Sequence, residues 1–147
     1  MQLNKIKSGL AIVTLATVLG LAFNLIPGKT TSFAQSSDKV FELRVYTATP
    51  GNLANLQARF RDHTLLIFEK HGMTNVGYWS PTEPDKAENT LIYLLAHASR
   101  EAADASWRAF GQDPEWQAVA ETSNANGPIL AGVERTWMKA TDFSPMQ

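Results

Sequence analysis

The stretch "TLIYLLAHA" (Thr90–Ala98) decides the fold. It is an almost continuous apolar run of strand length. Ile92, Leu94 and Ala96 fall on one face and Tyr93 and Leu95 on the other, so both sides of its sheet need cover. Helices can cover one side. Something else has to cover the second.

Upstream, "MTNVGYWS" (Met73–Ser80) reads as the strand that pairs with it, with Gly77 as a bulge. The polar "PTEPDKAEN" (Pro81–Asn89) is the exposed hairpin tip between them. Before that strand, Leu53, Leu56, Phe60, His63, Ile67 and His71 recur at steps of three and four, which predicts one face of a helix. Asn52 in "TPGN" is placed to cap it through its side-chain oxygen, and Gly72 ends it. The first strand is "VFELRVYT" (Val40–Thr47), with Phe41, Leu43 and Val45 on one face and Glu42, Arg44 and Tyr46 on the other.

Downstream, Ser99 opens a helix in which its hydroxyl accepts from the Ala102 amide and Glu101 sits at the positive end. Asp113-Pro114 stops that helix and caps a second, which runs to about Ser123. Trp107, Phe110 and Trp116 from "ASWRAFGQDPEWQ" then meet on one side, and the reading is a structural wedge between the broken helix and the sheet, not a ligand-stacking box. After the loop "NANGP", "GVERTWMK" (Gly132–Lys139) is the last strand. The order βαββαβ predicts a ferredoxin-like α+β domain, a four-stranded antiparallel sheet with both helices on one face. The bare second face predicts a homodimer packed sheet against sheet.

Residues 1–34 read as an export signal. Lys5 and Lys7 precede an apolar run from Leu10 to Ile26, Pro27-Gly28 ends it, and Ser32-Phe33-Ala34 offers a cleavage site before Gln35. The protein is thus expected outside the cytoplasm, periplasmic or secreted. It would meet a membrane only if the signal stayed uncleaved as an anchor. Removing the signal leaves 113 of the 147 residues, enough for one domain, 35–147. It also removes Lys5, Lys7 and Lys29 but no acidic residue, so the formal charge moves from −1 to −4. That balance argues against a nucleic-acid partner. With no cysteine there is neither disulfide nor thiolate metal site.

Several residues are candidates for chemistry. His63 shares a helix face with Leu56, Phe60 and Ile67, so it is expected to point at the sheet, where a histidine could act as a general base. His71 suits the exposed carbonyls of a helix end, and His97 is expected at an exposed strand end. The three histidines lack metal-ligand spacing, so no metal is expected. Glu42, Arg44 and Tyr46 are read as facing away from the helices, with Glu134 or Arg135 nearby, where they would set dimer register or line a polar pocket. Tyr78, Trp79 and Tyr93 could stack on an aromatic ligand or fill the sheet core. No G-x-S-x-G, P-loop, dinucleotide fingerprint or H-E-x-x-H occurs, and no cofactor is expected.

The segments "ELRVYT", "PGN", "DHTLLIFEKHGMTNVGYW", "NTLIYLLAHASREAA", "SWRAFGQDPEW" and "TDFSP", in that order, closely resemble the NIPSNAP family. Two positions depart from its pattern: Ala140 where a proline is common, and Leu66 where a polar residue is common. The resemblance implies the dimeric α+β barrel fold. Relatives with that fold include cofactor-independent monooxygenases and haem-binding enzymes, and eukaryotic members of the family are associated with mitochondria, vesicular transport and the mitophagy machinery, so the resemblance implies a scaffold and not a reaction. The expectation is a homodimer that binds a small, largely apolar molecule or a protein partner. The alternative is a cofactor-independent oxygenase or isomerase with His63 as base and Arg44 or Tyr46 steadying a developing anion. Arg44, Tyr46, His63, Tyr78 and Tyr93 are the candidate ligand-binding residues.

Overall fold

The computed structural model describes residues 39–147, and the expected export signal lies outside them. Four strands, β1 (Val40–Ala48), β2 (Thr74–Trp79), β3 (Thr90–His97) and β4 (Leu130–Met138), form one antiparallel sheet in the order β2-β3-β1-β4. The long segment after β1 is α1 (Leu53–Arg59), a π-helical turn (Phe60–Thr64) and α2 (Leu65–Lys70). A short α3 (Pro84–Ala87) sits in the exposed β2–β3 connection, and α4 (Arg100–Gln112) and α5 (Pro114–Ser123) precede β4. This is the ferredoxin-like arrangement that the order of elements predicts.

The local signals act as read. Ser99 Oγ accepts from the Ala102 amide at 3.1 Å, and Asp113 Oδ1 accepts from the Glu115 amide at 2.8 Å with Pro114 in the first turn. Gly72 ends α2 at φ 75°, in the left-handed region that a side chain resists. The β2–β3 register shifts between Asn75 and Gly77, the bulge that the glycine announced. Asn52 differs from expectation. Its side chain makes no bond to the helix backbone; it donates to Thr49 Oγ1 at 2.9 Å and accepts from Asn55 Nδ2 at 2.8 Å, which knits the turn to the first helical residues instead.

The core lies between sheet and helices, and it settles which strand face is which. Tyr46, Leu91, Tyr93 and Leu95 pack with Leu56, Phe60, Ile67, Phe68 and Phe110. Phe110 joins Trp107 at 5.6 Å and Trp116 at 4.4 Å between ring centres, so the aromatic wedge forms. Pairing places Glu42 beside Leu95, Arg44 beside Tyr93 and Tyr46 beside Leu91. Glu42, Arg44 and Tyr46 therefore face the helices of their own chain, contrary to the reading that turned them outward. The opposite face carries Phe41, Leu43 and Val45 alongside Ala96, Leu94 and Ile92, with Trp79 next to Ile92. None of these joins the helix-side core; Leu43, Val45, Ile92 and Leu94 are half-buried and Trp79 is 52% exposed. Among the described residues, the sheet thus has an apolar face that no helix covers.

Candidate functional site

Turning Glu42 inward creates a buried polar network on a sheet otherwise lined with aromatics. Glu42 is fully buried. Its Oε2 accepts from Trp107 Nε1 at 2.7 Å and lies 3.0 Å from His97 Nε2, while Oε1 accepts from Arg44 Nη1 at 2.9 Å. Burial alone would raise its pKa; the hydrogen bonds from His97 and Trp107 and the charge of Arg44 outweigh that and hold it below 4.5. Arg44 also lies 4.3 Å from the Trp107 ring and 5.4 Å from that of Tyr46. His97, expected at an exposed strand end, is instead wholly buried in this network.

Arg44, Tyr46, Tyr78 and Tyr93 do come together. The Tyr93 ring is 5.1 Å from Tyr46 and stacks on Tyr78 at 5.4 Å. Burial pushes the Tyr93 phenol well above its ordinary value, and Tyr46 adds to this; Tyr78 is raised as well, by burial first and then by Glu69. Both phenols stay neutral at physiological pH. Tyr93 Oη, His97 Nδ1, Arg44 Nε and Trp137 Nε1 are buried without a hydrogen-bond partner among the described residues. The Tyr78 hydroxyl donates to Asn75 Oδ1.

His63 does not join them. The π turn inserts one residue into the helical repeat, the Leu65 amide reaching back to the Phe60 carbonyl, so every later side chain slips round by one position. Thr64 takes the buried place and donates to the Arg59 carbonyl at 3.1 Å, while His63 is exposed. It lines an open groove of about 510 Å³ between α1 with its π turn and α5, together with Arg59, Asp62, Thr122 and Ser123. Across the π turn, Tyr78 lines an open cleft of about 320 Å³ with Phe60, Leu65 and Trp79. Between helices and sheet there is a cavity of about 50 Å³, walled by Tyr46, Phe60, Thr64, Phe68, Trp116 and neighbours. His71 differs too: its Nε2 lies 2.6 Å from Asp113 Oδ2, so it clasps the cap of α5 and not the carbonyls of its own helix. Lys70 joins that carboxylate at 2.8 Å, and with His71 it holds Asp113 well below the usual carboxylate range.

Sequence reasoning missed Glu42, His97 and Trp107 as one unit and Arg59 altogether. Trp107 and Glu42 stand 65 positions apart, and no local pattern ties them. The π turn had one faint signal: a charged Arg61-Asp62-His63 run inside an otherwise apolar repeat.

The comparisons agree with this architecture. Residues 41–145 match the NIPSNAP family. The chain belongs to the NIPSNAP family. Solved structures of NIPSNAP proteins share its fold. A NIPSNAP-like domain protein from Burkholderia xenovorans is 18% identical, with a TM-score of 0.65 over 74% of this chain and 90% of its own. A NIPSNAP family protein from Agrobacterium tumefaciens is 19% identical, with a TM-score of 0.65 over 74% and 99%. Another from the same organism, of unknown function, is 20% identical, with a TM-score of 0.64 over 74% and 94%. No curated protein matches the chain. This NIPSNAP domain has the subunit topology of the dimeric α+β barrel fold.

Proposed function

We propose that this NIPSNAP protein is an exported homodimer that binds a small, largely apolar molecule without transforming it. One observation carries the binding half. The space between helices and sheet, where an enclosed reaction chamber would lie, is packed down to about 50 Å³, whereas both larger hollows are open to solvent. Acid–base chemistry gains from excluding water, and His63 sits where water is plentiful. The dimer half rests on the apolar sheet face around Leu43, Ile92 and Leu94, which a second copy would cover. The pattern of residues 1–34, a basic start, an apolar run and a small-residue cleavage site, supports export.

Sedimentation of residues 35–147 at micromolar concentration is expected to give a dimer, and native mass spectrometry of protein taken from its own host a dimer carrying a small molecule. A stable monomer would sink the first claim, and a ligand-free dimer from every preparation the second. The catalytic alternative, a cofactor-independent oxygenase or isomerase, draws on the bare hydroxyl of Tyr93 and the bare Nδ1 of His97, the unspent hydrogen-bonding capacity that reacting groups keep. Turnover that disappears in Tyr93→Phe but survives His63→Ala would favour it and move the chemistry inside.

A further inference from the structure

Arg59, the last residue of α1, is a buried cation with no acidic partner among the described residues. It is 6% exposed. Its Nη1 donates to Ser123 Oγ at 3.2 Å, its guanidinium lies 5.3 Å from the Trp116 ring, and its Nε is bonded to nothing among the described residues. Burying a charge without a counter-charge is costly, and a methionine of similar length would fill the space without that cost. The nearby carbonyl end of α5 does not answer it. The Ala120, Glu121 and Thr122 carbonyls are already taken by Asn124 and Ala125. Asp62 shares the groove but makes no ion pair with Arg59.

Arg59 is also the one side chain common to the 510 Å³ groove outside and the 50 Å³ cavity inside. It thus lines an open hollow of a size that can admit a ligand. We propose that the groove between α1 and α5 binds a small aliphatic monocarboxylate, its carboxylate seated on the Arg59 guanidinium. This rests on the small-ligand reading above and adds the site and the chemical class. A planar carboxylate matches the fork of guanidinium N–H groups, of which Ser123 occupies one arm. Asp62 on the same wall opposes a second negative charge, which disfavours phosphate. Ala58, Ala118 and Val119 give the groove an apolar flank for an alkyl chain.

The test is titration of the full domain with sodium hexanoate and, separately, inorganic phosphate, followed by amide NMR shifts and by Tm. Hexanoate is expected to shift groove amides saturably and to raise Tm, and phosphate to do neither. Arg59→Met should abolish the hexanoate response while its own Tm stays equal or rises, because a lone buried charge has been replaced by packing. Arg59→Lys keeps the charge but loses the fork, and should weaken hexanoate about tenfold. Unchanged hexanoate binding in either variant overturns the site, and phosphate binding as tightly as hexanoate overturns the class. If hexanoate has no effect while 1-hexanol, titrated in the same way, binds saturably, the monocarboxylate is wrong and the small-ligand reading stands. If neither binds, both fall.

Discussion

At Glu42, one carboxylate takes hydrogen bonds from Trp107 and Arg44 and meets His97, with no exposure to water. Glu42→Gln removes the charge that balances Arg44 and is expected to cost about 3–5 kcal/mol in urea unfolding, the scale for breaking a buried pair from one side. Trp107→Phe, which deletes the indole donor and part of the ring that packs on Arg44, should cost about 1–3 kcal/mol. The same carboxylate sets a pH dependence. Its folded pKa lies below the unfolded value of 4.5, so its stabilisation is complete above that value and is lost as pH falls through the folded one. Asp113, held low by Lys70 and His71, works in the same direction. Urea midpoints measured between about pH 6 and pH 3 should therefore fall, and fall less steeply in Glu42→Gln than in the parent. The chemistry of these residues was legible in the sequence, but their facing was not. Strand alternation sorts Glu42, Arg44 and Tyr46 from Phe41, Leu43 and Val45. It cannot say which set meets a helix, because that is decided by Trp107 far along the chain.

Among the elements, the π turn governs what α1 and α2 present. A strict 3.6-residue repeat carries Leu56, Phe60 and Ile67 to the core correctly but errs at His63, because the inserted residue hands that inner position to Thr64 and brings Phe68 in beside Ile67. Deleting the exposed Arg61 should restore an ordinary helix with Thr64 and Phe68 still inward. The expected result is a folded domain of unchanged far-UV dichroism whose Tm falls by no more than about 8 °C, the equivalent of about 1 kcal/mol. Loss of the fold would mean that the turn is required by the packing and not merely tolerated. Elements defined by neighbouring residues were readable throughout: Ser99 and Asp113 as caps, Gly72 as a stop, Gly77 as a bulge. Those defined by long-range pairing, such as the His71–Asp113 clasp between α2 and α5, left no trace at either residue alone.

At the scale of the whole sheet, four strands wide and about eight residues long, the side that no described helix covers spans roughly 19 Å by 26 Å, about 500 Å² of flat area. That approaches the ~800 Å² of accessible surface per partner that stable complexes bury, once side-chain relief is added. Leu94→Lys places a charge in the middle of this side without touching the helix-side core. It is expected to give a folded monomer by sedimentation, with near-UV dichroism like that of the parent. A dimer unchanged by it would place the subunit contact elsewhere. The apolar character of both sheet faces was the part of the fold most plainly written in "TLIYLLAHA". Which face the helices would take was not. The sheet order has a topological result as well. Phe41 pairs with Met138 on adjacent strands, and Lys39 Nζ donates to the Gln147 carbonyl, so the two ends of the described residues lie at the same corner. A short tether could join those ends, and new ones could be opened in the exposed connection between β2 and β3; the backbone path is close to a closed ring, suited to circular permutation and to grafting into a host loop.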